Sequence, residues 1–348
     1  MDTLIRTEFA VETTYLNTAS CGLLPRRAVT AVTSLAERIA AGRNEGSGSF
    51  ASVEAARASF ARLANVPADR VAIGGSVTAH TAVIAASLPT GSEVLVPEGD
   101  FSSVVMPFAR RRDLKLRQVP LADLAGAVRP DTALVSFSTV QSADGRTADL
   151  GAVREAAAAH GARTLVDATQ SMGWLPWSAA DWDYTVVGGF KYLLCPRGTS
   201  FLTVAEEAQD ALVPAQAGWY AAADQEASVY GPGGELAPDA RRFDVPPAFL
   251  QYHAAEQSLA LLEEVGTEAV HAHVTALAAR LRSGLAGLGH AVVPGTSAIV
   301  ALPGLAHRGP ELAAAGVVHS ARAGNLRLSC HLYNSTADVD RVLDVLSV

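Results

Sequence analysis

Between about residues 70 and 205 the sequence returns again and again to short, β-branched apolar runs, and this alternation constrains the fold more than any other feature. The runs are Val71-Ala-Ile-Gly74, Glu93-Val-Leu-Val-Pro97, Ala133-Leu-Val-Ser-Phe137, Arg163-Thr-Leu-Val-Asp167, Asp183-Tyr-Thr-Val-Val187 and Ser200-Phe-Leu-Thr-Val204. Helical stretches separate them, so each run reads as a buried strand followed by a crossover. The pattern predicts an α/β fold whose large domain holds a mostly parallel sheet with helices on both faces. Ligands in such a sheet bind beyond the carboxyl ends of the strands, which makes polar residues at those ends the first candidates for a site.

A Gly- and Pro-rich stretch from about Val213 to Pro247, including Tyr230-Gly-Pro-Gly-Gly234, reads as a long functional loop or subunit contact. Helical periodicity from Phe249 to Leu288 follows, then strand-like Ser297-Ala-Ile-Val-Ala-Leu302 and Asn325-Leu-Arg-Leu-Ser329, then a closing helix from about Ala337. This predicts a small α+β C-terminal domain. The expected division is a large domain over 16–247 and a small one over 1–15 and 248–348.

Composition narrows the function. At 348 residues, 49% hydrophobic and 18% charged, the chain can bury a sizeable core. Its net charge of −8 is spread as mixed signs, with no basic stripe for nucleic acid and no polybasic segment for a membrane surface. No apolar run approaches the roughly eighteen residues needed to span a bilayer. The start, Met-Asp-Thr-Leu-Ile-Arg-Thr-Glu-Phe, lacks the basic-then-apolar pattern of a signal peptide, so a cytoplasmic location is expected. Cys21, Cys195 and Cys330 are scattered, and His271 and His273 lie two apart in a helical segment, on different faces; neither set predicts a metal site. A small or zwitterionic substrate is the default.

Lys191 ends a mostly uncharged strand-like stretch beside Gly188 and Gly189. An amine held where the chain leaves a buried strand can shed its proton and attack a carbonyl, as a Schiff-base lysine does with pyridoxal phosphate. Asp167 closes the strand before, so the two can meet at neighbouring strand ends; a buried carboxylate facing a pyridine nitrogen keeps that nitrogen protonated. Gln170, three residues on, can donate toward the ring's 3-oxygen. Gly75-Ser-Val-Thr78 joins a strand to a helix, and the exposed N–H groups with the Ser76 and Thr78 hydroxyls suit a phosphate. Taken singly, each residue has a plainer reading: a surface charge, a helix cap, a surface amide. No G-x-G-x-x-G or P-loop pattern is present, which argues against a nucleotide-binding α/β protein.

Taken in order, these residues resemble the class V aminotransferase family of pyridoxal-phosphate enzymes, the fold-type-I group of cysteine desulfurases, isopenicillin-epimerase-like proteins, kynureninases and C–S lyases. The resemblance covers nearly the whole chain. Tyr15-Leu-Asn-Thr-Ala-Ser20 looks like the family's N-terminal segment at the active-site mouth, Asp167-Ala-Thr-Gln170 like its D-x-x-Q, and Gly189-Phe-Lys-Tyr-Leu193 with Pro196-Arg-Gly-Thr199 like its lysine signature. The resemblance implies a fold-type-I transferase with a mostly parallel seven-stranded sheet, a homodimer, and Lys191 as the catalytic Schiff-base lysine. It also implies Gly75, Ser76, Val77, Thr78, Phe101, Gln141, Asp167 and Gln170 as cofactor contacts, with Phe101 laid over the pyridine. Asn17, Ser20 and Arg327 would bind the substrate, Arg327 pairing with its carboxylate as the arginine of R-x-S-x-x-x-Y-N does. The substrate side chain is expected between Asn17–Cys21, the loop Ala217–Tyr220 and a partner subunit.

The departures matter as much. Ala315-Gly-Val-Val-His-Ser-Ala-Arg-Ala-Gly324 lacks the nucleophilic cysteine that desulfurases carry in this loop; Phe190 replaces the histidine before the lysine, and Gly188 a phosphate-binding serine. Pro246 and Pro247 stand where a neighbouring subunit usually offers a hydroxyl to the phosphate. The resemblance therefore points first to β-elimination at a C–S bond of an amino acid. Aminotransfer, epimerisation or racemisation, and cofactor binding with little turnover are the alternatives.

Overall fold

The computed structural model describes residues 2–43 and 50–347. In chain order its strands are β1 (Thr14–Tyr15), β2 (Val71–Gly74), β3 (Glu93–Pro97), β4 (Lys115–Val119), β5 (Thr132–Ser138), β6 (Arg163–Asp167), β7 (Tyr184–Gly188), β8 (Ser200–Val204), β9 (Ile299–Leu302), β10 (Val317–Val318), β11 (Ser320–Arg322) and β12 (Asn325–Ser329). The helices are α1 (Asp2–Glu8), α2 (Arg26–Ala40), α3 (Phe50–Ala64), α4 (Val77–Ser87), α5 (Met106–Arg110), α6 (Leu150–His160), α7 (Glu206–Gln209), α8 (Phe249–Val265), α9 (Thr267–Gly287), α10 (Gly309–Ala314) and α11 (Thr336–Leu346).

Seven strands form one sheet in the order β2-β8-β7-β6-β5-β3-β4, with only β8 antiparallel to its neighbours. The predicted α/β architecture and seven-stranded sheet are therefore present. Each of the six apolar runs is a strand, shifted by at most one residue at an end, because strands packed between helix layers are buried on both faces and need continuous apolar sequence. Sequence reading missed β4. It is an exposed edge strand, Lys-Leu-Arg-Gln-Val, and its polar residues hide the strand pattern.

Register gathers the strand ends that matter. Ser138 pairs with Asp167, Asp167 with Val186, and Ser200 with both Gly188 and Gly74. Four of the six mutually parallel strands thus deliver Gly74, Ser138, Asp167 and Gly188 to one edge. The small sheet, β11-β12-β9, is antiparallel, while β1 pairs with β10 and Asn17 bridges Ser329. The segment after β1 is thereby tied to the C-terminal sheet and led across the large sheet's edge.

The predicted helical stretch 249–288 is two helices, broken at Gly266 with φ +83°. Helix α8 packs on α2 and α3, and one apolar core joins Phe60, Val71 and Phe201 to Tyr252, Leu259 and Val274. Packing is thus continuous across residue 247. A buried ion pair fastens this region: Arg57 Nη2 lies 2.7 Å from Asp244 Oδ2, and Asp244 Oδ1 also accepts from Ile73 N at 2.8 Å. Through it, the long loop's end grips β2 just before the Gly74–Gly75 turn.

Candidate active site

Lys191 sits one turn past β7. Gly189 is required there, because a Cβ would lie 2.4 Å from Thr199 Oγ1 and 3.1 Å from Cys195 Cβ. The N-terminal segment braces the same turn: Gly22 N donates to Phe190 O at 2.9 Å, and a Cβ on Gly22 would come within 2.1 Å of Lys191 O. Two glycines far apart in sequence thus fix the lysine's backbone by close approach.

The lysine is buried at the floor of a cleft of about 320 Å³. Its Nζ lies 5.0 Å from the centroid of Phe101 and 5.6 Å from that of Phe190. Phe101 is 44% exposed, a ring standing in the open cleft rather than in the core. Burial pushes the Lys191 amine down to about 8, Asp167 opposes the shift, and Arg327, Arg197 and Arg322 add to it. An amine titrating near 8 has a usable fraction of its free base at neutral pH.

Asp167 is buried, and its Oδ1 accepts from Thr169 N at 2.8 Å. Burial raises its carboxyl, with the Thr169 bond and Lys191 pulling the other way. Asp100 is a further acid in the cleft. Its carboxylate accepts from Phe101 N at 2.6 Å, Ser138 N at 2.8 Å and Ser138 Oγ at 2.5 Å, so it holds the Phe101 turn against the end of β5. Asp100 is raised to about 6, chiefly by burial, with Asp167 adding to the rise and the three hydrogen bonds opposing it.

Arg327 is 2% exposed. Its Nε donates to Ser320 Oγ at 3.0 Å, its Nη2 to Ser20 Oγ at 2.7 Å and its Nη1 to the Ser142 carbonyl. No carboxylate pairs with it among the described residues. Burial pushes it down to about 10, with Arg322 adding to the shift. A cation in that condition gains strongly from an incoming carboxylate.

Of the residues expected at the site, Lys191, Phe101, Ser20 and Arg327 line the cleft directly. The turn Gly75–Thr78 does not line it: Ser76 caps α4 by accepting from Ala79 N at 3.3 Å, and Thr78 Oγ1 donates to Ser103 Oγ at 2.9 Å, two residues from Phe101. Gln170 Nε2 donates to Ala19 O at 3.0 Å, one segment from Ser20, so one amide hydrogen is already used within the chain. Asn17, Gln141, Asp167 and Gln170 are not among the residues lining the cleft. The loop Ala217–Tyr220 is elsewhere within one chain: it lines a separate cavity with Gly231–Gly234, and Trp219 packs against Phe50.

Sequence reading missed Asp100, Arg197 and Arg322. Asp100 carried a weak signal, an acid directly after the positive-φ Gly99 at a strand end. Arg197 and Arg322 carried none, since both are exposed charges whose role depends on what folds beside them.

The site fits pyridoxal phosphate. A Cβ built on Gly75 meets nothing within 4 Å, leaving room beside the α4 N-terminus for a phosphate. Three expected contacts hold a buried polar atom without a partner in the chain: Asn17 Oδ1, Gln141 Nε2 and Gln170 Oε1. Buried polar atoms are nearly always satisfied, and Gln141 Nε2, a donor, suits an acceptor-rich phosphate or 3-oxygen, whereas Asn17 Oδ1 and Gln170 Oε1 are acceptors and call for a donor that those oxygens do not supply.

A seven-stranded sheet carrying a buried lysine, an acid and an open glycine turn at one edge defines a fold-type-I pyridoxal-phosphate enzyme. Comparison narrows this. The family model "Aminotransferase class-V" matches residues 14–307, and the chain belongs to that family. It is similar to the uncharacterized aminotransferase YcbU of Bacillus subtilis (strain 168), 29% identical over 84% of this chain and 83% of that one. It is also similar to isopenicillin N epimerase of Streptomyces clavuligerus, 28% identical over 95% and 93%. Among solved structures, the cystine C–S lyase C-DES in complex with its reaction product cysteine persulfide has the same fold, with TM-score 0.87, 22% identity, and 97% and 98% of the two chains covered. The protein is a pyridoxal-phosphate-dependent enzyme of the class V family.

Proposed function

We propose that this enzyme is a C–S lyase, cleaving the β-carbon–sulfur bond of an amino acid by elimination. Arg327 binds the α-carboxylate, with Ser20 orienting its fork and Asn17, three residues before Ser20, as a further substrate contact. Asp167 would hold the cofactor's ring nitrogen, Phe101 its face, Gly75, Ser76, Val77 and Thr78 its phosphate, and Gln141 and Gln170 its polar edge. When bound, the cofactor supplies an electron sink for the pair released as the Cα–H bond breaks. Lys191 Nζ takes that proton, and its lowered basicity lets it do so near neutral pH.

The lining of the cleft supports elimination of a sulfur group above the alternatives. No histidine, cysteine, tyrosine or glutamate lines it among the described residues. Asp100 has its acceptors committed to Ser138 and Phe101, so no obvious general acid serves the β-position. With only the Lys191 ammonium left as a proton donor, a leaving group that can depart as an anion is favoured, which a thiolate, with a thiol pKa near ~8.5, does far more readily than an alkoxide. Two-face proton transfer for epimerisation lacks a second free base for the same reason. Persulfide chemistry on a loop cysteine is disfavoured as well, since the segment before Arg327 is a tight hairpin, β11 to β12, without a thiol.

The reaction breaks the Cα–H and Cβ–S bonds, and with one water yields a thiol, pyruvate and ammonium. The test is incubation of the purified, cofactor-loaded enzyme with S-substituted cysteines while thiol, pyruvate and ammonia are followed. Equal amounts of all three are expected. Accumulation of the pyridoxamine form without ammonia would replace this reading with aminotransfer, and inversion at Cα without either would replace it with epimerisation.

A further inference from the structure

Three guanidinium groups converge on Ser20. Arg327 Nη2 donates to its Oγ at 2.7 Å, Arg322 Nη2 to the same oxygen at 3.3 Å, and Arg197 Nη2 to its carbonyl at 3.4 Å. None of the three is in an ion pair among the described residues, and Lys191 adds a fourth cation to the same cleft. Like charges this close repel unless an anion is supplied. One α-carboxylate has two oxygens and matches one guanidinium fork, and Asp100, the acid in the cleft lining, is committed to Ser138 and Phe101, which leaves Arg322 and Arg197 unanswered.

The fold places these two arginines deliberately. Ser320 is the register partner of Arg327 across the β11–β12 pair. Side chains alternate along a strand, so Arg322, two residues on, shares the face that Ser320 and Arg327 present. The hairpin turns through Ala323 and Gly324, both at positive φ, +47° and +79°. A two-residue turn of this kind fixes the backbone at Arg322, and the contact to Ser20 Oγ at 3.3 Å directs its exposed side chain. Arg197 is set by Phe190, its guanidinium carbon lying 4.2 Å from the ring centroid. The phenylalanine that replaces a polar residue beside the lysine thus serves as a platform for a cation.

We infer that the substrate carries a second anionic group, a carboxylate at the far end of its side chain, and that Arg322 together with Arg197 receives it. The inference rests on the reading of Arg327 as partner of the α-carboxylate, and it makes the substrate a sulfur-linked dicarboxylic amino acid. A leaving arm held at both ends is fixed relative to Lys191, and its departing thiolate leaves into a cationic wall.

Saturated acids without an amine test this without turnover, because they cannot condense with the cofactor. Glutarate and valerate, a dicarboxylate and a monocarboxylate of equal length, are titrated calorimetrically into the cofactor-loaded enzyme, its Arg322→Ala, Arg197→Ala and Arg327→Ala variants, and the Arg322→Ala/Arg197→Ala double variant, with melting curves as folding controls. Wild-type enzyme is expected to bind glutarate about tenfold more tightly than valerate, the scale of one charge-assisted contact. Arg322→Ala should erase most of that preference while leaving valerate affinity unchanged, and Arg197→Ala part of it. Equal binding of the two acids by wild type, or an undiminished preference in the double variant, overturns the inference. Arg327→Ala should weaken both acids; if it spares valerate, the α-carboxylate reading fails on its own, whatever the Arg322 result.

Discussion

Arg57 and Arg327 are equally buried, each 2% exposed, yet the chain treats their charges in opposite ways. Arg57 faces Asp244 at 2.7 Å and Glu54 at 3.0 Å, and donates to Val71 O. Burial would lower it, but Asp244 and Glu54 overturn that and hold it firmly protonated. Arg327 meets only hydroxyls and a carbonyl, and burial pushes it down. The first is a structural arginine whose counter-ion is built in. The second has no counter-ion among the described residues, and on the function proposed above it is a recognition arginine whose counter-ion the substrate brings. A buried charge short of an acid, at a strand end, is thus a better mark of a site than burial or charge alone.

The comparison breaks most sharply at Arg57. Arg57→Ala leaves Asp244 buried and unpaired, which should cost about 3–5 kcal/mol of stability, read as a large fall in melting temperature or in the denaturation midpoint. Arg327→Ala should do the reverse. With no buried acid to orphan, the melting temperature should fall far less, while kcat/KM drops about a hundredfold, the scale of losing one desolvated charge contact, roughly 2.7 kcal/mol. The visible band of the lysine-bound cofactor should survive in Arg327→Ala and vanish in Lys191→Ala. Should Arg327→Ala unfold the protein as readily as Arg57→Ala, the distinction between the two arginines collapses.

How far each arginine was visible in the sequence follows from the same physics. Arg327 was legible because it lies in an apolar strand inside a patterned segment, Asn325-Leu-Arg-Leu-Ser329, where a charge stands out. Lys191 and Asp167 stood out alike at the ends of β7 and β6, and the six buried strands because double-sided burial writes itself as continuous apolar sequence. Arg57 was not legible: its partner Asp244 is 187 residues away, inside a stretch that reads as loop. Arg197 and Arg322 were hidden for the complementary reason, since exposed arginines are common and only the folded hairpin and the Phe190 ring aim them at one cleft. Strand β4 was lost because an edge strand needs no apolar run.

A milder effect links Arg327 to the lysine. Arg327, Arg197 and Arg322 each hold Lys191 down, so removing any one favours the protonated amine and must raise its pKa from about 8. In cofactor-free protein, the pH profile of Lys191 acylation by an amine reagent should have its midpoint near 8 in wild type. It should move upward in Arg322→Ala, making the amine less reactive at neutral pH. Arg57→Ala, remote from the lysine, should leave the profile where it is. A shift in the acid direction for Arg322→Ala would mean that its charge does not reach the lysine.

The smallest expected change is at Ser20, the oxygen shared by Arg327 and Arg322. Its hydroxyl carries no charge and cannot neutralise either guanidinium; it only fixes where two forks point. Ser20→Ala should therefore cost about one ordinary hydrogen bond, ~1 kcal/mol, appearing as a roughly fivefold rise in KM with kcat little changed. The melting temperature should hardly move, because the freed Nη2 groups border the cleft and water can reach them. A loss in kcat as large as that of Arg327→Ala would show instead that the hydroxyl touches reacting atoms, and Ser20 would then belong with Lys191 rather than with the arginines it orients.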